Sequence, residues 1–98
     1  MSHDPPKEHW IPVPGSRVAA RIIDGQALIL DPAVTELRRM NPVGSLVWSC
    51  ITQQNQTVAQ IHSQILANFD VESDVAFEDL RAFLRKLQAE GLIDYKTD

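Results

Sequence analysis

The sequence predicts an α+β domain in which a three-stranded antiparallel β-meander is followed by three helices. The pair Asp24-Gly25 separates two β-rich runs, and such a pair favours a two-residue hairpin because both turn positions prefer positive φ. The stretch ELRRMNPVGSLVW changes from a strand pattern to a helix pattern at Asn41. From there to Gly91, apolar residues recur mainly with helical spacing.

Length and composition indicate one globular domain. A chain of 98 residues fits a single domain, and 44% hydrophobic with 22% charged residues argues against disorder. No apolar run approaches the roughly 18 residues needed to span a bilayer, and the start MSHDPPKEHW has no apolar core of a secretory signal. The single Cys50 lies on an apolar helical face and is interpreted as buried rather than reactive. We therefore expect no membrane contact and a cytoplasmic location.

The charge balance argues against nucleic acid as the main partner. Nine basic and thirteen acidic residues give a net charge of −4, whereas phosphate binding depends on a clustered basic surface. A local basic patch remains compatible with this balance.

The strand region is predicted to comprise residues 17–23, 26–31 and 34–40, with a second turn at Asp31-Pro32. Residues 1–14 contain four of the six prolines and are predicted to form a flexible arm before a domain at 15–96. The third strand is an edge of the meander and carries Arg38 and Arg39. These arginines either protect the edge from aggregation or face an acidic partner.

Each helix has a recognisable start or end. Asn41 can cap the first helix and Pro42 suits its first position. After a polar connector at 52–56, Thr57 and Gln60 fit a capping box for the second helix. Ser73 or Asp74 is predicted to cap the third helix, which ends at the glycine at position 91.

No residue pattern predicts catalysis, a cofactor or a bound metal. The chain has no glycine-rich phosphate loop and no paired Cys or His ligand set. His62 lies beside an apolar helical face without a nearby carboxylate or nucleophile in sequence, so it is interpreted as a boundary histidine. We expect that the protein is not an enzyme.

The sequence resembles the PqqD family, whose members serve pyrroloquinoline quinone (PQQ) biosynthesis and related peptide-modifying pathways. The resemblance extends from about residue 14 to residue 95. It is carried, in order, by LRRMN, NPVGSLVW, TVAQIHSQILANFDV and DLRAFLRKLQAEGLI. One departure is the connector QQNQ before Thr57, where family members often have Asp-Gly. This departure leaves the pathway product open.

The resemblance implies a winged helix-turn-helix-like fold and a non-catalytic recognition function. Such domains bind the leader of a ribosomally made precursor peptide and present it to a modifying enzyme, often a radical S-adenosylmethionine (radical SAM) enzyme. The expected partners are therefore a leader peptide and a radical SAM enzyme. The protein itself is expected to be a monomer or a homodimer, because a free strand edge can pair with a second copy.

The resemblance and the predicted edge strand together suggest a peptide-binding site. An extended leader can add to the third strand through main-chain hydrogen bonds, and the third helix would form the opposite wall. Its apolar residues occupy more than one narrow stripe, which suits either core packing alone or packing plus a groove. The expected strand residues are Thr35, Glu36, Leu37, Arg38, Arg39 and Met40, and the expected wall residues are Phe77, Leu80, Arg81 and Leu84. Arg38, Arg39 and Arg81 could steer an acidic leader.

Two other functions remain open at this point. One is a protein-interaction or assembly domain that binds a folded partner. The other is a winged-helix DNA-binding protein. The third helix argues against DNA binding, because it has three basic and three acidic residues between Glu78 and Glu90.

Overall fold

The computed structural model describes residues 7–15, 18–24, 26–31 and 36–96, although not the side chains of residues 31, 36–38, 53 and 54. The predicted α+β class, with three α-helices and antiparallel strands, is confirmed. The strands are β1 (Ile11–Pro14), β2 (Ala19–Ile23), β3 (Gln26–Asp31), β4 (Glu36–Arg39) and β5 (Ile93–Lys96). The helices are α1 (Pro42–Ser49), α2 (Val58–Asn68) and α3 (Ser73–Ala89).

Strands β2, β3 and β4 form an antiparallel sheet in that order. Asp24, in the turn between β2 and β3, has a φ of 51°. On β3, Ala27 and Ile29 are fully buried, so the alternation of a strand places Leu28 and Leu30 on the opposite, outer face. Leu30 is 45% exposed there. One face of the sheet therefore packs on the core and the other is open.

A second sheet, formed by β1 and β5, involves residues that the sequence placed in a flexible arm. Ile11–Pro14 instead pair with β5, with Ile11 opposite Lys96. The ring of Trp10 packs on Tyr95 with 5.2 Å between centroids. The carbonyl of Trp10 accepts a hydrogen bond from the first amide of α2, Val58 N, at 2.9 Å. This stretch thus supplies an acceptor to an amide of the helix N-terminus that has none within the helix.

Helix α1 begins as predicted but continues further. The Asn41 side chain accepts a hydrogen bond from Gly44 N at 2.7 Å, and Pro42 occupies the first turn. After Ser49 the chain forms a π-helical segment, Cys50–Gln54, in place of the first part of the predicted polar connector. Within this segment the Thr52 hydroxyl donates to the Trp48 carbonyl at 3.0 Å. Asn55, with a φ of 51°, ends it.

The boundaries of α2 and α3 follow the local signals with one shift. The capping box of Thr57 and Gln60 is confirmed by two reciprocal side-chain to backbone hydrogen bonds. Helix α3 starts one residue early, with Glu72 as N-cap and no side-chain capping bond. At its end Gly91 has a φ of 76°, and its amide donates to the Gln88 carbonyl. Gly91 thus provides the left-handed residue that a helix end of this type requires.

The core lies between the inner face of the larger sheet and the three helices. Trp48 is its largest fully buried side chain. Cys50 is buried among apolar residues, as predicted. The other buried apolar residues are Ala27, Ile29, Val47, Ile51, Val58, Ile61, Ile65, Ala76, Leu80, Leu84, Leu87, Leu92 and Ile93.

Ser45, which is 3% exposed, connects α1 to the sheet. Its hydroxyl oxygen accepts a hydrogen bond from Ala27 N at 2.8 Å and donates to the Met40 carbonyl at 3.3 Å. The hydroxyl thereby replaces a direct strand-to-strand bond at the end of the β3–β4 pairing. The Ser45 hydroxyl thus connects α1 to the residue that follows β4, Met40.

We expect Ser45→Ala to lower the free energy of unfolding by about 1–3 kcal/mol, because the buried Ala27 amide would lose its acceptor. Urea denaturation followed by circular dichroism would measure the loss. Ser63→Ala is the matched control, since Ser63 is exposed on α2 and bonds only the Ala59 carbonyl of its own helix. Equal stability of the two variants would contradict a structural role for the Ser45 hydroxyl.

Candidate functional site

The outer edge of β4 is a row of backbone groups that no described residue pairs with. Met40 N donates to the Ala27 carbonyl at 2.9 Å, so the amide of residue 40 points toward β3. In an antiparallel pair the direction of these groups alternates along the strand. The amide and carbonyl of Arg39, and those of Leu37, therefore point away from β3. They can accept an additional strand.

An apolar cleft of about 410 Å³ opens beside the C-terminal end of β4. Asn41, the residue that follows the strand and caps α1, forms part of its rim. The remaining walls come from α1, from α2, from the connection between α2 and α3, and from α3 as far as Phe83. The lining residues other than Asn41 are Val43, Gly44, Val47, Ile65, Val71, Val75, Ala76, Asp79, Leu80, Ala82 and Phe83.

The residues predicted on the edge strand are described to different extents. Thr35 lies outside the described residues. Glu36, Leu37 and Arg38 are described only by their backbone, which forms β4 with Arg39. The Arg39 side chain is exposed and Met40 is half-buried.

The predicted wall residues of α3 do not share one face. Leu80 lines the cleft, whereas Leu84 is fully buried and absent from its lining. Phe77 lies against the ring of His62, with centroids 4.9 Å apart. The Arg81 guanidinium carbon is 5.4 Å from the centre of the Phe77 ring. Phe77 and Arg81 therefore lie on the side of the helix that faces α2.

Besides Leu80, the cleft wall on α3 includes residues that were not among the predicted wall residues. Val75, Asp79 and Phe83 follow one another at intervals of four residues and all line the cleft. Residues at this spacing lie on one side of a helix. The spacing was present in the sequence, where the charged Asp79 interrupts the apolar stripe between Val75 and Phe83.

Two ionisable side chains inside the fold, Cys50 and Tyr95, have raised pKa values. Burial raises the pKa of the Cys50 thiol, which disfavours its reactive thiolate form. Burial also raises the pKa of Tyr95 to about 12. Among the described residues, no group of three or more His, Cys, Asp or Glu could hold a metal ion. The cleft and the strand edge offer contacts and hydrogen bonds for binding.

None of the helices in the described part of the chain combines the length and the hydropathy needed to cross a membrane.

Solved structures with the same fold include complexes with peptides. One, "TbiB1 in Complex with the TbiA(beta) Leader Peptide", matches with a TM-score of 0.76 at 26% identity, and the alignment covers 88% of this chain and 99% of TbiB1. Another is lasso peptide synthetase B1 complexed with the leader peptide. It matches with a TM-score of 0.72 at 17% identity over 85% of this chain and 96% of its own, which supports the fold alone. No curated protein is significantly similar to the chain in sequence.

The family comparison covers the strands and helices that form the cleft. The sequence model of the family described as coenzyme PQQ synthesis protein D (PqqD) matches residues 26–93. This match runs from the start of β3 to the start of β5 and includes β4 and all three α-helices. The chain therefore belongs to the PqqD family.

Proposed function

We propose that the protein is a non-catalytic peptide-binding protein that holds the leader of a ribosomally made precursor peptide and presents it to a modifying enzyme. The observation that carries the proposal is the position of the cleft. It opens at the end of β4, whose outer backbone groups are not paired with any described residue. One ligand can therefore use both features at once.

An extended peptide fits this pair of features better than a compact ligand. Its backbone would bond the outward amide and carbonyl of Arg39 and those of Leu37, which supplies affinity without regard to sequence. Side chains of a strand alternate between two faces. Every second peptide side chain would then point to the core side of the sheet, where the apolar cleft takes it and supplies specificity.

The comparisons support a leader as this peptide. TbiB1, whose fold spans 88% of this chain at 26% identity, is bound to the TbiA(beta) leader peptide. Membership of the PqqD family is consistent with the same function.

The reaction itself would belong to the partner. We propose a radical SAM enzyme as this partner and the cytoplasm as the site of the reaction, with the present protein acting as a monomer or homodimer. The buried, high-pKa thiol of Cys50 supports a non-catalytic function for this chain.

A folded-partner interaction domain is the second candidate, favoured by the open outer face of the larger sheet. Ile23 and Leu30 are 52% and 45% exposed there. Arg21, which is exposed, and its cross-strand partner Leu28 lie on the same face, between Ile23 and Leu30. This surface could contact a protein while the cleft stays free.

An amide NMR titration distinguishes these functions. We expect the leader of any precursor peptide encoded beside this gene to shift the amides of 36–40 and those of Val75, Asp79 and Phe83. A peptide of the same composition in scrambled order is the control and should leave them unchanged. Absence of shifts at high leader excess, even with the neighbouring modifying enzyme present, would contradict leader recognition. Shifts confined to Ile23 and Leu30 on adding the enzyme would favour the second candidate.

A further inference from the structure

Asp79 in the cleft wall and Arg39 on the outer face of the larger sheet carry opposite charges. We propose that this site selects an alternating peptide, with one basic residue among apolar residues on its inward face and an acidic residue on its outward face beside Arg39. This inference rests on the proposed function, because it assumes that the ligand adds as a strand to β4. It specifies the chemistry of the leader that this site accepts.

The outward charge follows from the strand register. Arg39 is paired with Leu28, and Leu28 with Arg21. Paired residues on adjacent antiparallel strands point to the same face, and Leu28 is on the outer face because its neighbours Ala27 and Ile29 are fully buried. Arg21 and Arg39 therefore flank Leu28 in one row on the outer face, both exposed to solvent. A strand added to β4 extends this row by one residue, which would lie next to Arg39.

The inward charge comes from α3. Among the described residues that line the cleft, only Asp79 is ionisable. Glu78, Arg81 and Arg85 lie with Asp79 around a shallow depression on the helix surface but are not part of the cleft lining. The cleft therefore presents one carboxylate within apolar walls. A lysine or arginine whose aliphatic stem follows these walls would place its charge at this carboxylate.

The geometry of a strand fixes how the two peptide charges are spaced. Inward and outward side chains alternate along an extended chain. The basic residue that reaches Asp79 and the acidic residue beside Arg39 must therefore have peptide positions that differ by an odd number, such as 1 or 3. A uniformly acidic leader, which the arginines of the sequence suggested, would meet repulsion at Asp79.

The test is a charge scan of the peptide against charge-reversed proteins. Each position of a synthetic leader, taken from any precursor peptide encoded beside this gene, is changed in turn to Lys and to Glu, and the Kd is measured by fluorescence anisotropy. We expect one inward position at which Lys binds about five-fold more tightly than Glu, the upper range for a solvent-accessible ion pair. This preference should reverse in Asp79→Lys. At an outward position Glu should be preferred, and that preference should reverse in Arg39→Glu.

Matched variants exclude a general effect of net charge. Glu78→Lys and Arg85→Glu make the same charge changes at exposed positions of α3 outside the cleft lining, and both should keep the wild-type preferences. Thermal denaturation of all four variants establishes that each is folded. Two results overturn this inference and leave leader recognition intact. In one, the leader binds but no pair of positions shows a Lys preference at one and a Glu preference at the other. In the other, the positions with these two preferences differ by an even number. Failure of every peptide to bind the wild-type protein overturns both proposals.

Discussion

Arg39→Pro is expected to weaken leader binding by about 2 kcal/mol, or roughly thirty-fold, while the protein stays folded. The Arg39 amide points away from β3, as the bond from Met40 N to the Ala27 carbonyl requires. Proline removes this outward donor and leaves a peptide carbonyl without a partner. It removes no bond between β3 and β4, and edge strands tolerate proline at such positions.

Two substitutions at the same strand complete this experiment. Arg39→Ala removes the charge but keeps the amide, so it should retain most of the affinity that proline removes. Arg38→Pro removes an amide that points toward β3, and it should lower the stability of the fold itself. Isothermal titration calorimetry with the leader, together with urea denaturation, measures both quantities. Equal affinities of Arg39→Pro and Arg39→Ala would rule out strand addition at β4.

Trp48→Ala is expected to cost about 3–5 kcal/mol of unfolding free energy, because it leaves a cavity among residues that repack only in part. Trp48 is 1% exposed and is the largest fully buried side chain. Domains of this kind have a total stability of about 5–15 kcal/mol. The variant should therefore be marginally folded at 25 °C, with a steep fall in its melting temperature.

The second tryptophan provides the control for this prediction. Trp10 is half-buried and packs on Tyr95 in the smaller sheet, so Trp10→Ala should cost clearly less. Urea denaturation followed by circular dichroism gives both values. A loss at Trp48 no larger than that at Trp10 would show that the core is organised around other side chains.

The sequence predicted best the features that depend on neighbouring residues. The Asn41 cap and the Thr57–Gln60 box each satisfy amides within three residues of the capping side chain. Gly91 likewise ends α3 through bonds to the preceding turn. Because these interactions are local, residue type and spacing were sufficient to identify them.

The pairing of β1 with β5 was not predictable from local patterns. It joins Ile11 to Lys96, the two extremes of the folded chain, and its strands are short and rich in proline or charge. What orders the N-terminal strand is a contact with the start of α2, through Trp10 and Val58. This contact leaves no periodic signal in the sequence.

The candidate site was predicted only in part, for a geometric reason. Strand β4 and helix α3 were identified as its two sides, but the rotation of a helix about its axis is set by packing. Burial of Leu84 and the contact of Phe77 with His62 fix that rotation. They bring Val75 and Phe83 to the cleft, together with the carboxylate of Asp79. The apolar residues of α3 form more than one stripe in the sequence, so the pattern did not determine which face of the helix would line the cleft.

The pairing of Ile11 with Lys96 also determines how this domain can be joined to other proteins. Cross-strand neighbours in an antiparallel pair have Cα atoms about 4.5–5.5 Å apart. The first and last strands are thus side by side, and no residue of β1 or β5 lines the cleft. The domain is therefore suited to circular permutation and to insertion as a cassette into a loop of a host enzyme. In such a fusion, both connections would leave from one corner and the recognition surface would remain accessible.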